Sequence, residues 1–134
     1  MWIGLILLFG LIWLLSDQMR EYMLEDDPHL HNIKALLIEA FPDDPDIQGL
    51  KLYKGDKSYT LNKEKIFLCM KDENGEYYNT NMLIYVLLHE IAHVKNHTVG
   101  HDENFQRIFD GLLKEAKKRK VYDDTIPPVS NYCP

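Results

Sequence analysis

The sequence predicts an α+β fold: a small antiparallel sheet, a long helix and a following helix after it, and an N-terminal transmembrane helix ahead of it. Three observations carry this prediction. Residues 1–15 hold thirteen hydrophobic residues, two glycines and no charge, and a helix apolar on every side suits lipid better than a half-solvated core. Between Leu50 and Met70 apolar residues alternate with polar ones or run together between turn signals, which is strand behaviour. From Met82 onward apolar residues return every three or four positions, which is helix behaviour.

Each element follows in order. Residues 1–16 predict a membrane anchor. Fifteen helical residues span roughly 22 Å, somewhat short of a hydrocarbon core of about 30 Å. Trp2 and Trp13 stand near the two ends, as interfacial aromatics do, and Arg20 can snorkel to lengthen the span. The run has no basic leader and no small-residue cleavage triplet, so it is expected to stay on the chain. Residues 17–30 read as an acidic stalk, and residues 31–134 as a single folded domain. Within it, His31–Phe41 places Ile33, Leu36, Leu37, Ala40 and Phe41 at helical spacing, with Pro42 and Pro45 as stops. Strands are expected at Leu50–Lys54, Ser58–Leu61 and Ile66–Met70, separated by turns such as Gly55-Asp56 and followed by Asn74-Gly75. Met82–Lys95 is a second helix, with Leu83, Val86, Leu87, Ile91 and Val94 apolar. Asp102–Lys118 is a third, with Phe105, Ile108, Phe109, Leu112 and Leu113 inward. The basic residues from Lys114 to Lys120 complement a helix C-terminus on a solvated face. Pro127-Pro128 keeps the segment after Tyr122 from being helical.

Composition narrows the function. The chain has 134 residues and a formal charge of −6, enough for one domain. Its acidic balance argues against wholesale nucleic-acid binding.

The chemistry is carried by His89-Glu90-Ile91-Ala92-His93. Histidines four apart on a helix project from one face, one turn apart, so both imidazoles can reach one ion. Zinc takes neutral imidazole nitrogens. Glu90, offset around the helix, reaches a metal-bound water rather than the metal and can take its proton. A catalytic site needs a third protein ligand and an open fourth position. The candidates are His97, His101, Glu103 and Glu115. His101 is favoured, because Gly100 lets the chain turn back and a ligand from a loop surrounds a cation better than three in a line. Glu115 would instead give a thermolysin-type arrangement.

The run His89–His93 followed by His101-Asp102-Glu103-Asn104-Phe105 resembles the H-E-x-x-H…H-x-x-x-F signature of WLM-type, SprT-like zinc metallopeptidases, relatives of the proteases that cleave DNA–protein crosslinks. Tyr59–Asn62, Ile66–Cys69 and Leu83–Leu88 resemble the strand and active-site helix of that family. The resemblance implies a minimal zincin-like domain over roughly residues 50–118, a Zn²⁺ cofactor held by His89, His93 and His101, Glu90 as catalytic base, and Phe105 as packing. Short anchored domains of this kind also resemble open reading frames of large DNA viruses, which implies a viral or host membrane.

The expected function is therefore a membrane-anchored zinc metalloendopeptidase acting on polypeptide, with the edge strand near Ile66–Met70 aligning an extended substrate. The alternative is a non-catalytic, zinc-stabilised, membrane-anchored binding module. Cys69 is expected to be a small buried hydrophobe. Cys133 is expected to be a free thiol, with capping of the open zinc position as the sharper option. Tyr122 and Tyr132 are expected to pack, with hydrogen bonding to a peptide oxyanion as their sharper option. Asn96-His97-Thr98 matches a glycosylation sequon.

Overall fold

The computed structural model describes residues 2–133 except 26; for residues 2 and 16–25 it describes the backbone alone. Five helices and three strands follow in the order α1 (Trp2–Glu25), α2 (Pro28–Ala40), α3 (Pro45–Gln48), β1 (Lys51–Lys54), β2 (Tyr59–Leu61), β3 (Lys65–Leu68), α4 (Thr80–Lys95) and α5 (Glu103–Lys118).

The expected transmembrane anchor is overturned. Among the described residues no helix is long and apolar enough to cross a membrane. The apolar run ends at Leu15, about 21 Å of helix against a hydrocarbon core of about 30 Å. The same helix continues into Ser16-Asp17-Gln18 and beyond. The single-pass localisation falls with it. The side chains of Ile3–Leu15 are exposed. The side chains of Trp2 and Arg20, expected at the membrane boundaries, and those of the stalk up to residue 26 lie outside the description.

The end of the acidic run is a helix cap. Asp27 accepts hydrogen bonds from the backbone N–H of His29 (2.9 Å) and Leu30 (3.4 Å), and Pro28 opens α2 with its dihedral already helical. Asp27 is buried, and it also receives the Tyr77 hydroxyl at 3.0 Å and the Lys54 ammonium at 3.3 Å. Leu30, Ile33 and Leu37 on α2 are fully or almost fully buried.

The sheet is mixed, in the order β1-β3-β2, not antiparallel as expected. β1 runs parallel to β3, with Leu52 opposite Ile66; β2 runs antiparallel to β3, with Tyr59 opposite Phe67. The link from β1 to β2 is no hairpin turn, and the chain leaves a slot that β3 fills. β3 is the strand best suited to a central place: Ile66 and Leu68 are fully buried. One consequence corrects the substrate expectation. Ile66–Met70 does not offer an edge, because β3 is central; the sheet edges are β1 and β2. β2 joins β3 through a turn in which Asn62 and Lys63 both have positive φ (53° and 54°), with Glu64 N–H donating to the Leu61 carbonyl at 3.0 Å, the pattern of a type I′ turn.

α4 is the hub of the core. Leu83, Ile84, Leu87, Leu88 and Ile91 are all at most 1% exposed. They share one cluster with Ile66 and Leu68 of the sheet, Ile33 and Leu37 of α2, and Phe105, Phe109, Leu112 and Ala116 of α5.

After α5 the chain returns across the N-terminal end of α4. Asn81 and Asp123 exchange two hydrogen bonds, at 3.0 and 2.7 Å. The segment then closes on the sheet through a disulfide between Cys69 and Cys133, 64 residues apart in sequence with Cα atoms 6.5 Å apart. Cys69 is buried as expected, but it is bonded. Cys133 is neither a free thiol nor available to cap a metal. No local pattern announces the pair, because the returning segment has no periodicity.

Candidate metal centre

The site is built by the end of α4, the loop after it and the start of α5. His89 and His93 stand one turn apart on α4, with ring centroids 5.0 Å apart. α4 stops at Asn96, whose backbone turns extended. Asn96 is 1% exposed and ties the loop together. Its Oδ1 accepts the Thr98 hydroxyl at 3.1 Å and the Asn104 amide at 2.6 Å; its Nδ2 donates to Asp102 at 3.2 Å. Asp102 in turn caps α5 by accepting the Phe105 N–H at 2.9 Å. Lys63 reaches over from the β2–β3 turn and donates to the carbonyls of Asn96 and Thr98. Gly100 has φ +94°, which side-chain-bearing residues adopt only with strain.

This path returns His101 to the histidine pair. Its Nε2 lies 3.1 Å from that of His93 and 3.2 Å from that of His89. One nitrogen from each residue lies within 4.8 Å of the others. Phe105, 1% exposed, forms an apolar floor with its ring centroid 5.0, 4.4 and 4.8 Å from those of His89, His93 and His101.

Glu90 points to the sheet side. It is buried, and Thr60 of β2 donates from Oγ1 to its Oε2 at 2.7 Å and to its backbone carbonyl at 3.2 Å. Burial raises the Glu90 carboxyl above its ordinary range, partly opposed by the Thr60 hydrogen bond and the His101 charge. Burial, aided by the charges of His93 and His101, lowers the His89 imidazole to about 4. His93 is also lowered, by burial first and then by His101 and Lys63. A cleft of about 590 Å³ joins the three histidines and Glu90 to Ser58, Tyr59 and Thr60.

The other candidate ligands lie apart from this cluster. Glu115 pairs with Arg119 at 3.0 Å and lines a different pocket, with Lys95. His97 and Glu103 are exposed and outside the group. Asn96 is too buried and too fully hydrogen-bonded to accept a glycan. Tyr122 is half-buried, with its ring centroid 6.2 Å from that of Tyr85. Tyr132 hydrogen-bonds Ser58 and the Cys69 carbonyl. Sequence reasoning did not assign the site roles of Thr60, Lys63 or Asn96. Thr60 was findable: strand alternation sets it on the same face as Ile66, its partner across the ladder.

The lowered histidines predict how the metal-free chain responds to acid. Unfolded histidines take up protons near pH 6.5, whereas His89 in the fold resists until about pH 4. As pH falls through that window the unfolded state binds protons that the native state refuses, so stability drops, and the His89 contribution to the loss stops below about 4. Glu90, raised in the fold, opposes this in the lower part of the window. Urea midpoints of the chelator-stripped chain are expected to fall from pH 6.5 to 4, and to fall less in His89→Asn. Equal slopes would show that the buried imidazole is not the cause.

The chain is 44% identical over 119 residues to uncharacterized protein 136R of Invertebrate iridescent virus 6, covering 86% of this chain and 67% of that protein. It is 45% identical over 86 residues to uncharacterized protein 042R of Invertebrate iridescent virus 3, covering 63% of this chain and 54% of the relative. An uncharacterized protein of Acanthamoeba polyphaga mimivirus is 37% identical over 80 residues, covering 57% and 41%. The chain thus spans about half or less of the length of these last two. No protein-family model and no solved structure matches it. The chain belongs to the same family as protein 136R.

Proposed function

We propose that this member of the 136R family is a zinc-dependent metalloendopeptidase, with His89, His93 and His101 as ligands and Glu90 as general base. The observation that carries the reading is the convergence of three imidazole Nε2 atoms beside a buried carboxylate at the foot of a cleft. The donor set fits zinc. Tetrahedral nitrogen ligands about 2.0–2.1 Å from zinc stand about 3.3 Å from one another, and the two Nε2 separations here are 3.1 and 3.2 Å. Burial keeps His89 and His93 neutral at ordinary pH, the state in which imidazole binds metal. The likeness to WLM-type metallopeptidases in His89–His93 and His101–Phe105 supports the same reading. When bound, zinc would polarise a carbonyl and acidify a water.

The remaining roles belong to the chain. Glu90, with one oxygen held by Thr60, keeps its other oxygen to accept a proton from water and return it to the leaving amine. β2, at the sheet edge, has main-chain groups that can pair with an extended polypeptide laid along the cleft. Asn96, Lys63 and Asp102 keep the His101 loop in place.

Purified full-length chain is expected to bind about one zinc per molecule and to cleave an unfolded polypeptide, losing cleavage on chelation and regaining it with zinc. Ala at His89 or His93 should abolish zinc binding, and Ala at His101 should weaken it greatly. Retained zinc in His101→Ala with loss in Glu115→Ala would move the third ligand to α5. Absence of zinc from wild type would end the metallopeptidase reading.

A further inference from the structure

The Cys69–Cys133 disulfide lies beside the candidate site. Cys69 directly follows β3 by one residue, and its N–H donates to Ser58 Oγ at 2.9 Å. Ser58 lines the cleft and leads into β2, which carries Thr60 and so the hold on Glu90. Ser58 Oγ also lies 2.6 Å from the Tyr132 hydroxyl, which itself donates to the Cys69 carbonyl. Ser58 is therefore the donor to Tyr132 and the acceptor from Cys69. The Tyr132 ring packs on Tyr78 at 4.8 Å, and the Tyr78 hydroxyl accepts the Cys133 N–H at 3.0 Å. The cleft wall at Ser58 is thus supported from behind by two consecutive residues, 132 and 133, whose covalent tie to the sheet is this disulfide.

Two further observations bear on what the tie does. Cys133 has φ +38°, a left-handed backbone that a non-glycine residue leaves when nothing holds it. Besides the Asn81–Asp123 pair, the returning segment is held by the Lys117–Asp124 ion pair at 2.8 Å and by the Val129 N–H on Met82 Sδ at 3.2 Å; residues 123–131 are exposed and carry no regular structure. None of the described residues from 119 onward lines the cleft, so the segment braces the site and does not obstruct it.

We propose that the Cys69–Cys133 disulfide is a redox latch on the candidate site: oxidised, it clamps Tyr132 behind Ser58 and keeps the cleft in its working shape; reduced, it releases residues 123–133 and slackens the β2 wall. The reductant is a dithiol. Its thiolate attacks the Cys133 sulfur, the half-buried member of the pair, Cys69 being buried. The Cys69–Cys133 S–S bond breaks as a mixed disulfide forms on Cys133. The second thiol of the reductant then displaces Cys133. Two electrons and two protons end on the cysteines, and the reductant leaves as its own disulfide. The effect on activity rests on the metallopeptidase reading; the release of the segment and the loosening at Ser58 do not.

The test compares full-length wild type with Cys133→Ser and with Tyr132→Phe, each loaded with one equivalent of zinc. Hydrogen exchange is followed in peptides covering 56–62 and 120–133, alongside zinc content and cleavage of an unfolded polypeptide. Thiol titration should find no free thiol in the air-oxidised wild type. In Cys133→Ser both peptides should exchange at least tenfold faster, zinc content should hold, and cleavage should fall about tenfold or more. Tyr132→Phe, which keeps the disulfide but loses the hydroxyl, should quicken exchange in 56–62 and leave 120–133 protected. Two free thiols in the oxidised protein, or wild-type exchange in both peptides of Cys133→Ser, would overturn the latch. Faster exchange with no cleavage by any form would keep the latch and reject the peptidase. Faster exchange with undiminished cleavage would overturn its control of the site.

Discussion

Glu90→Gln is expected to leave zinc content and fold unchanged while lowering polypeptide cleavage by ~10²–10⁴-fold, the usual worth of general-base help. The amide is nearly isosteric with the carboxylate, so the buried site keeps its packing. Thr60 Oγ1 can still donate to the amide oxygen, as it donates to Oε2 at 2.7 Å in the wild type. What disappears is the capacity to take a proton from water. Burial raises the Glu90 carboxyl in the metal-free chain, which makes it a stronger base once ionised. Zinc should be measured by metal analysis and cleavage with an unfolded polypeptide. Equal cleavage by Glu90→Gln and wild type would remove Glu90 from the chemistry. Loss of zinc together with activity would make Glu90 a ligand or a structural prop.

Much of the site is legible in the sequence because its strongest part is local. Histidines at i and i+4 with a glutamate between them need only a helix, and the apolar spacing of Leu83, Leu87 and Ile91 supplies one. Gly100 is a local signal too, for it marks where the chain can bend His101 toward the pair, and it is left-handed. What was illegible depends on partners distant in sequence. Thr60 meets Glu90 across 30 residues, and Cys133 meets Cys69 across 64. The order of the sheet is illegible for the same reason: the turn signals after Lys54 suit a hairpin, yet β3 enters between its predecessors because Ile66 and Leu68 need burial on the α4 side. Asp27 was misread for a subtler cause. An acidic run before proline looks like a solvated stalk, whereas its last member caps α2 and is buried. The apolar leader failed as an anchor on length, since all-round hydrophobicity says nothing of span.

Phe105→Ala is expected to destabilise the domain by about 3–5 kcal/mol, the range for emptying a buried aromatic site, and to weaken zinc binding as well. Phe105 is 1% exposed and belongs to the core cluster, so its removal leaves a cavity between α4 and α5. That cavity lies directly under the metal candidates, because the Phe105 ring is within 5.0 Å, centroid to centroid, of all three imidazoles. His101 should suffer most. It is exposed and comes from a loop, whereas His89 and His93 are fixed by the α4 backbone. Loss of such outer support commonly costs 10–100-fold in metal affinity, and a similar loss is expected here, read by competition with a chromophoric chelator. Phe105→Leu separates the two effects. It refills much of the volume, so most of the urea stability should return, but it cannot reproduce the aromatic packing, edge-type with His89 and His101 and tilted with His93. If Phe105→Ala and Phe105→Leu both bind zinc as tightly as wild type, the ring is core packing alone and the triad holds its geometry unaided. If Phe105→Leu regains stability but not affinity, the aromatic floor sets the orientation of the ligands. The fold then positions its candidate metal site through the same residue that joins α5 to the core.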